Sequence, residues 1–284
     1  MSNPNEISLP LGGSRSGRAR YAAAMALYNA GQIGPDALEV YRICSLLDSA
    51  DPARMLAEAG LPQARIPSLT GEVAIRALIT AADAYLATLP GPGVAEVRQG
   101  LNQWSGGPIT ARPSAGNTVL ETHLPSALAA LTSTHPDLAE AIQDAAPWLT
   151  WITYDLYGDT IGTQFAQGHA YASLIGEAAA IPARDYDLGL FLIAPHVLYR
   201  DHRHKAPELY APLTGPHGWR FGPDRPLIVK QAHEPVWNDP YRHHLTKVGP
   251  TPFLALFGWT RDVQEAATVI PASDWPELEA LRLG

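Results

Sequence analysis

Cysteine is nearly absent from this 284-residue chain, which has one, Cys44. A single thiol cannot build an internal disulfide framework, and Cys-rich zinc modules are excluded with it. Cys44 lies in the apolar helical run EVYRICSLL and reads as a buried structural thiol. Long hydrophobic runs are missing too: nothing approaches the ~18 apolar residues of a membrane span. The N-terminal stretch MSNPNEISLPLGGSRSGRARY lacks the apolar core of a signal peptide and reads as a flexible lead-in, so the expectation is a soluble cytoplasmic protein. Charged residues make up only 17%, and their balance is -8. With no basic surplus to neutralise phosphates, nucleic acid is excluded as a partner. No phosphate-binding glycine loop and no long-period repeat is present. What the chain does have is 46% hydrophobic residues, enough for one large domain or two ordinary ones.

Two textures divide the chain. From about Arg18 to Trp151 the pattern is helical. RYAAAMALYNAGQ is alanine-rich and stops at Gly31. PDALEVYRICSLLD opens on a proline suited to a first helical turn. DPARMLAEAG offers Asp51 as N-cap and Gly60 as terminator. TGEVAIRALITAADAYLATLP carries apolar residues at three- and four-residue intervals, and GVAEVRQGLNQW, TVLETHLPSALAALT and PDLAEAIQDAAPWLTW continue the theme. GGPITARPSAGN, residues 106–117, reads as a linker. TQFAQGHAYASLIGEAAA reads as one more helix, with His169 an ordinary surface or packing histidine. After Pro182, short apolar runs punctuated by Gly and Pro every eight to twelve residues predict an antiparallel sandwich or barrel. The expected organisation is a flexible N-terminus (1–20), a helical region (21–150) and a sheet domain (151–284), an α+β chain.

The densest chemistry lies in HRHKAPELY, His202 to Tyr210. On an extended path side chains alternate faces, so His202, His204, Glu208 and Tyr210 share one face unless the turn at Ala206-Pro207 breaks the register. Two imidazoles and a carboxylate form most of a ligand set for a divalent transition metal. His196, His217 and His233 fit no ligand position and read as surface or turn residues. Trp219, Trp237 and Trp259 read as core or cavity wall.

The string His202-x-His204-x3-Glu208-x-Tyr210-x4-Gly215 resembles the first metal motif of the cupins. With HVLYRDH before it and PFLALFGW after it, the stretch from about Asp187 to Asp262 is similar to the cupin-type dimethylsulfoniopropionate (DMSP) lyases. QFAQGHAYASLIG resembles the helix those proteins carry upstream. The resemblance implies a C-terminal antiparallel β-barrel, the double-stranded β-helix of cupins, behind a helical region. It also implies a further histidine ligand from a later strand. In PYRHHLTKVGPTPFLALFGW, counting from Pro240 and from Pro252 favours His244, with His243 the alternative. The expected metal set is therefore His202, His204, Glu208 and His244, holding zinc, iron, manganese, cobalt or nickel.

The activity implied is β-elimination by a carbon–sulfur lyase, releasing dimethyl sulfide and acrylate from DMSP. A metal would act as Lewis acid toward the substrate carboxylate. Tyr210 matches the family's tyrosine at the metal and is the expected base. An unperturbed tyrosine titrates near ~10, but a neighbouring divalent cation stabilises the phenolate and lowers that value. Tyr199 matches a second tyrosine that orients substrate or assists proton transfer, its bland alternative being a strand-end aromatic. The aromatic faces of Trp219, Phe221, Phe257 and Trp259 suit a sulfonium cation. The expected partner is a small carboxylate such as DMSP, with no nucleic acid and no membrane, and a homodimer is compatible with the reading. Three alternatives stay open. One is a cupin dioxygenase or sugar isomerase on the same ligand set. Another is a metal-sensing cupin fused to a helical anti-sigma domain, which the well-separated His123 and His135 support poorly. The last is a metal-free scaffold.

Overall fold

The computed structural model describes residues 6–7, 9–29, 31–61, 71–153 and 158–283. It divides into two compact units, Met1–Thr70 and Gly71–Gly284. The expectation of a flexible lead-in falls partly on residues 1–5 and 8, which lie outside the described residues; the chain is helical from Ser16 onward.

The first unit contains α1 (Ser16–Asn29), α2 (Pro35–Cys44) and α3 (Pro52–Glu58). Asp51 caps α3, its carboxylate accepting from the amides of Ala53 and Arg54, which satisfies donors that a helix start leaves orphaned. Gly31 and Gly60 follow α1 and α3 with φ of +70° and +64°, a left-handed conformation that costs glycine least. Ala23, Ala24, Leu27, Val40 and Leu56 form the core, and Cys44 is buried among them.

The second unit begins with α4 (Gly71–Thr88), α5 (Val94–Trp104), α6 (Thr118–Thr132) and α7 (Pro136–Ala145). Asn117 caps α6 through the amides of Val119 and Leu120. The linker of residues 106–117 connects α5 to α6 without regular structure over most of its length. The short α8 (Thr163–Gln167) then leads into β1 (His169–Gly176), β2 (Ile181–Pro182), β3 (Asp187–Ile193), β4 (Leu198–Arg203), β5 (Glu208–Pro212) and β6 (His217–Arg220). The remaining strands are β7 (Ile228–Lys230), β8 (Val236–Asn238), β9 (His244–Lys247), β10 (Phe253–Trp259) and β11 (Thr268–Val269), before α9 (Trp275–Ala280).

One sheet has the order β2-β1-β3-β10-β5-β8 and the other β11-β4-β9-β6-β7. The described pairings are antiparallel except the two-residue contact of β1 with β2. The two sheets form a double-sheet jelly roll, not one continuously hydrogen-bonded barrel.

The helix expected over residues 163–180 is corrected: it ends at Gln167, and HAYASLIG is strand β1. Alanines at 170 and 172 look helical in isolation. In the fold their alternation with His169, Tyr171 and Ser173 pairs residue by residue with β3, and the sheet overrides the local preference.

The alternation explains how the core divides. On β3, Leu188, Leu190 and Leu192 pack toward α6 and share one core with buried residues of α4 and α7, and Leu254 and Leu256 of β10 and Leu209 and Ala211 of β5 join them. Each such leucine contributes roughly 1.5–3 kcal/mol of burial. The alternate residues Phe191, Ile193, Tyr210, Phe253 and Phe257 turn to the interior between the sheets. The helices therefore back one sheet and leave its other face free to build a cavity. No helix among the described residues is long and apolar enough to cross a membrane.

Candidate metal centre and active site

His202 lies at the end of β4 and His204 just after it, and His244 opens β9, where it pairs directly with His202. Glu208 opens β5 in the facing sheet. The even-numbered side chains of HRHKAPELY do converge, although the stretch is not one strand. The turn at Lys205–Pro207 carries the chain from one sheet to the other. Both inner faces look into the same space, so the convergence survives the turn.

The ligand-capable atoms of His202, His204 and His244 all lie within 4.8 Å of one another. All three rings are buried, at 2%, 4% and 0% exposure. Each turns its Nδ1 away from the cluster to a backbone carbonyl: His202 to Arg200 at 2.8 Å, His204 to Ala206 at 2.7 Å and His244 to Arg242 at 2.9 Å. A proton on each Nδ1 leaves each Nε2 with a free lone pair. His244 Nε2 is buried without a hydrogen-bond partner. Glu208 Oε2 lies 3.2 Å from His204 Nε2 and 3.4 Å from His244 Nε2. Lone pairs and a carboxylate crowded this closely call for a positive charge between them, and the donor set is compatible with a divalent metal ion.

Glu208 is itself held in place. Trp259 Nε1 donates to its Oε1 at 2.7 Å, and Asn238 Nδ2 donates to Oε2 at 3.2 Å. Burial pushes the Glu208 carboxyl up, but the adjacent His204 and His244 outweigh it and hold it well below the usual carboxylate range. Burial drives His202 well below the usual imidazole value, and the neighbouring His244 and His204 add to the effect. It is thus neutral, as a ligand must be.

His202, His204 and Glu208 line a cavity of about 230 Å³, with His244 packed behind them. Tyr210, on the inner face of β5, lines it, with its ring 6.5 Å from that of His244. Tyr199 lines it from the opposite sheet, stacked at 4.0 Å on His202 and at 4.0 Å on Phe165. His243 lies outside, next to Arg203.

The other aromatic and histidine readings divide. Trp259 is in the site, stacked on His204 at 4.5 Å and bonded to Glu208, and Phe257 lines the cavity. Trp219 is fully buried behind Tyr210, with ring centres 5.5 Å apart. Trp237 packs against the helical core. His169 is a packing histidine, stacked on Phe165 at 4.0 Å. His196 and His233 sit in turns with positive φ. His217 corrects the surface reading: it is buried in β6, and its Nδ1 accepts from the Gly249 amide at 3.2 Å.

Sequence reasoning passed over Tyr171, Asp187 and Phe191, which also line the cavity. The signal available was the alternation in DLGLFLI, which sets Asp187, Gly189 and Phe191 on one face.

No curated protein matches the chain. Solved structures share its fold, two of them described as DMSP lyases. One belongs to a set described as the DMSP lyases RdDddP and RnDddQII, at 17% identity and TM-score 0.58, covering 71% of this chain and 100% of that one. The other is the DMSP lyase DddQ from Ruegeria pomeroyi DSS-3, at 21% identity and TM-score 0.53, covering 69% and 95%. The dimethylsulfoniopropionate lyase family model spans residues 107–255, more than half of the chain, and takes in every histidine of the cluster, Glu208 and both tyrosines. The chain belongs to the dimethylsulfoniopropionate lyase family.

Proposed function

We propose that this chain is a metal-dependent carbon–sulfur lyase that cleaves DMSP to dimethyl sulfide and acrylate, with Tyr210 as the base. The observation that carries the reading is the convergence of three outward-tethered histidines on Glu208 at the end of a cavity lined by two tyrosines. Family membership supports DMSP as the substrate. When held by His202, His204, Glu208 and His244, a divalent ion would supply Lewis-acid stabilisation of the negative charge that develops on the substrate carboxylate.

The protein's own groups do the rest. Tyr210 Oη takes the proton alpha to the carboxylate. The C–H electron pair becomes the new C=C bond, and the C–S pair leaves with sulfur as neutral dimethyl sulfide. The proton stays on Tyr210 until solvent removes it. Tyr199, fixed between Phe165 and His202, orients the substrate. Trp259 and Asn238 hold the Glu208 carboxylate, so that its free lone pairs stay aimed at the histidines. Phe191 and Phe257 keep water from the cavity wall, where the leaving group is least polar.

The test is metal analysis of the purified protein, followed by a headspace assay for dimethyl sulfide from DMSP in air and under nitrogen. Bound metal and equal release in both atmospheres are expected. Turnover that stops without oxygen assigns a dioxygenase instead, and metal-bearing protein that releases no dimethyl sulfide overturns the reading.

A further inference from the structure

We propose that Asp187 is the anionic part of a cation-recognition subsite at the end of the cavity away from the histidines, where it holds the positively charged end of the substrate. The inference rests on the DMSP-cleaving reading and names a specificity-determining residue for it.

Sheet register places the residue. Asp187 pairs with Trp259 across β3 and β10, Trp259 with Glu208 across β10 and β5, and Glu208 with Asn238 across β5 and β8. Directly opposed residues of antiparallel strands share a face and lie ~4.5–5.5 Å apart. Asp187, Trp259 and Glu208 thus form one row along the cavity floor, and all three line it. Asp187 also lines the larger adjoining cavity of about 720 Å³, together with Tyr171, Val263 and Gln264. It therefore stands at the junction, while Glu208 stands at the histidine end. A molecule with its carboxylate toward the histidines turns its other end toward Asp187.

The chemistry around Asp187 suits a cation that cannot donate hydrogen bonds. Its Oδ1 is buried without a hydrogen-bond partner, and Gly176 leaves the room that a Cβ, 3.0 Å away, would take. Among the described residues lining the metal-side cavity there is no lysine or arginine. The walls are aromatic: Tyr171 meets Phe191 and Phe257 at ring separations of 6.3 Å each. Aromatic faces with a carboxylate are how proteins hold onium groups, whose charge is wrapped in methyls. Burial pushes the Asp187 carboxyl up to about 7, against a hydrogen bond from Ser173 that draws it down. A cation arriving beside it favours the ionised form.

The experiment is calorimetric titration of the metal-loaded protein with 3-(trimethylammonio)propionate and with 4,4-dimethylpentanoate, the isostere whose neutral tert-butyl end replaces the onium, for wild type, Asp187→Asn and Asp187→Glu. DMSP kinetics run in parallel. Wild type should prefer the cation. Asp187→Asn should lose at least ~10-fold in affinity for it, a change of ~1.4 kcal/mol, and keep its affinity for the isostere, while Asp187→Glu restores part of the preference. With DMSP, KM should rise more than kcat falls. Equal losses for both ligands mean a structural role and overturn the proposal, as does an unchanged preference in Asp187→Asn. If wild type releases no dimethyl sulfide, the parent reading fails. The titrations still decide the subsite, since a cation preference that disappears in Asp187→Asn upholds it.

Discussion

Tyr210 and Tyr199 approach the histidine cluster from opposite sheets, and each can be tested by removing one oxygen. Tyr210→Phe keeps the ring that packs against Phe191, Phe253 and Trp219, so fold and metal content should survive. The kcat for DMSP should fall at least ~10²-fold, the low end of what a positioned base contributes, with KM changing little. Tyr199→Phe should cost less. If the larger loss follows Tyr199→Phe, the base is Tyr199. The adjacent histidines provide a second pair. His244→Ala removes a ring that faces the cluster, whereas His243→Ala removes one beside Arg203. Metal affinity should drop in the first by more than the ~10–100-fold typical of losing even an outer partner. In the second it should stay near wild type, and metal titration reads both.

The strands that present these residues depend on buried contacts behind them. β4 changes register between Tyr199 and His202, and Asp201 within this bulge turns away from the cavity. Its carboxylate is bonded to Arg220 of β6, and Trp275 Nε1 donates to it at 2.8 Å. Arg220 also reaches Asp274, tying the approach to α9 onto the sheet. The pair is almost wholly buried, so removing one partner strands a charge. Arg220→Met should cost about 3–5 kcal/mol in urea denaturation and weaken metal binding through the neighbouring His202. A melting curve unchanged from wild type contradicts this role for the pair.

For the molecule as a whole, acid is the expected weakness. Burial lowers His169 and His217 from 6.5 to about 4. The unfolded chain therefore binds protons there that the folded one refuses. Between 6.5 and 4 each histidine removes about 1.4 kcal/mol of stability per pH unit as pH falls. Asp187 acts in the opposite sense, because its raised carboxyl holds a proton in the fold at pH values where the unfolded chain has lost it. The two histidines outweigh it, so the urea midpoint should fall on acidification through this window. Asp187→Asn should steepen the fall; a flat profile would contradict the burial of both rings. Chelation should also lower the melting temperature, since a ligand at 100 times its Kd stabilises by about 2.7 kcal/mol. Melting unaffected by chelator would mean that no metal is coupled to the fold.

The residues themselves determine the local features of this protein. The caps at Asp51 and Asn117 and the glycine stops at 31 and 60 act within a few residues of the helix ends they satisfy. The close spacing of His202, His204, Glu208 and Tyr210 likewise needs little more than a chain path to bring them near one another. The family, too, was legible, because its motif is compact. Tertiary structure decided whatever depends on a partner strand. HAYASLIG is a strand because β3 pairs with it, although its alanines favour a helix. His217 is buried because β6 lies between β7 and β9. Trp259 reaches Glu208 over an interval of 51 residues, and Asp187 joins their row only through the register of β3 with β10. Local propensity carries no information about which strand will lie alongside, and these contacts exist only once the sheets have formed.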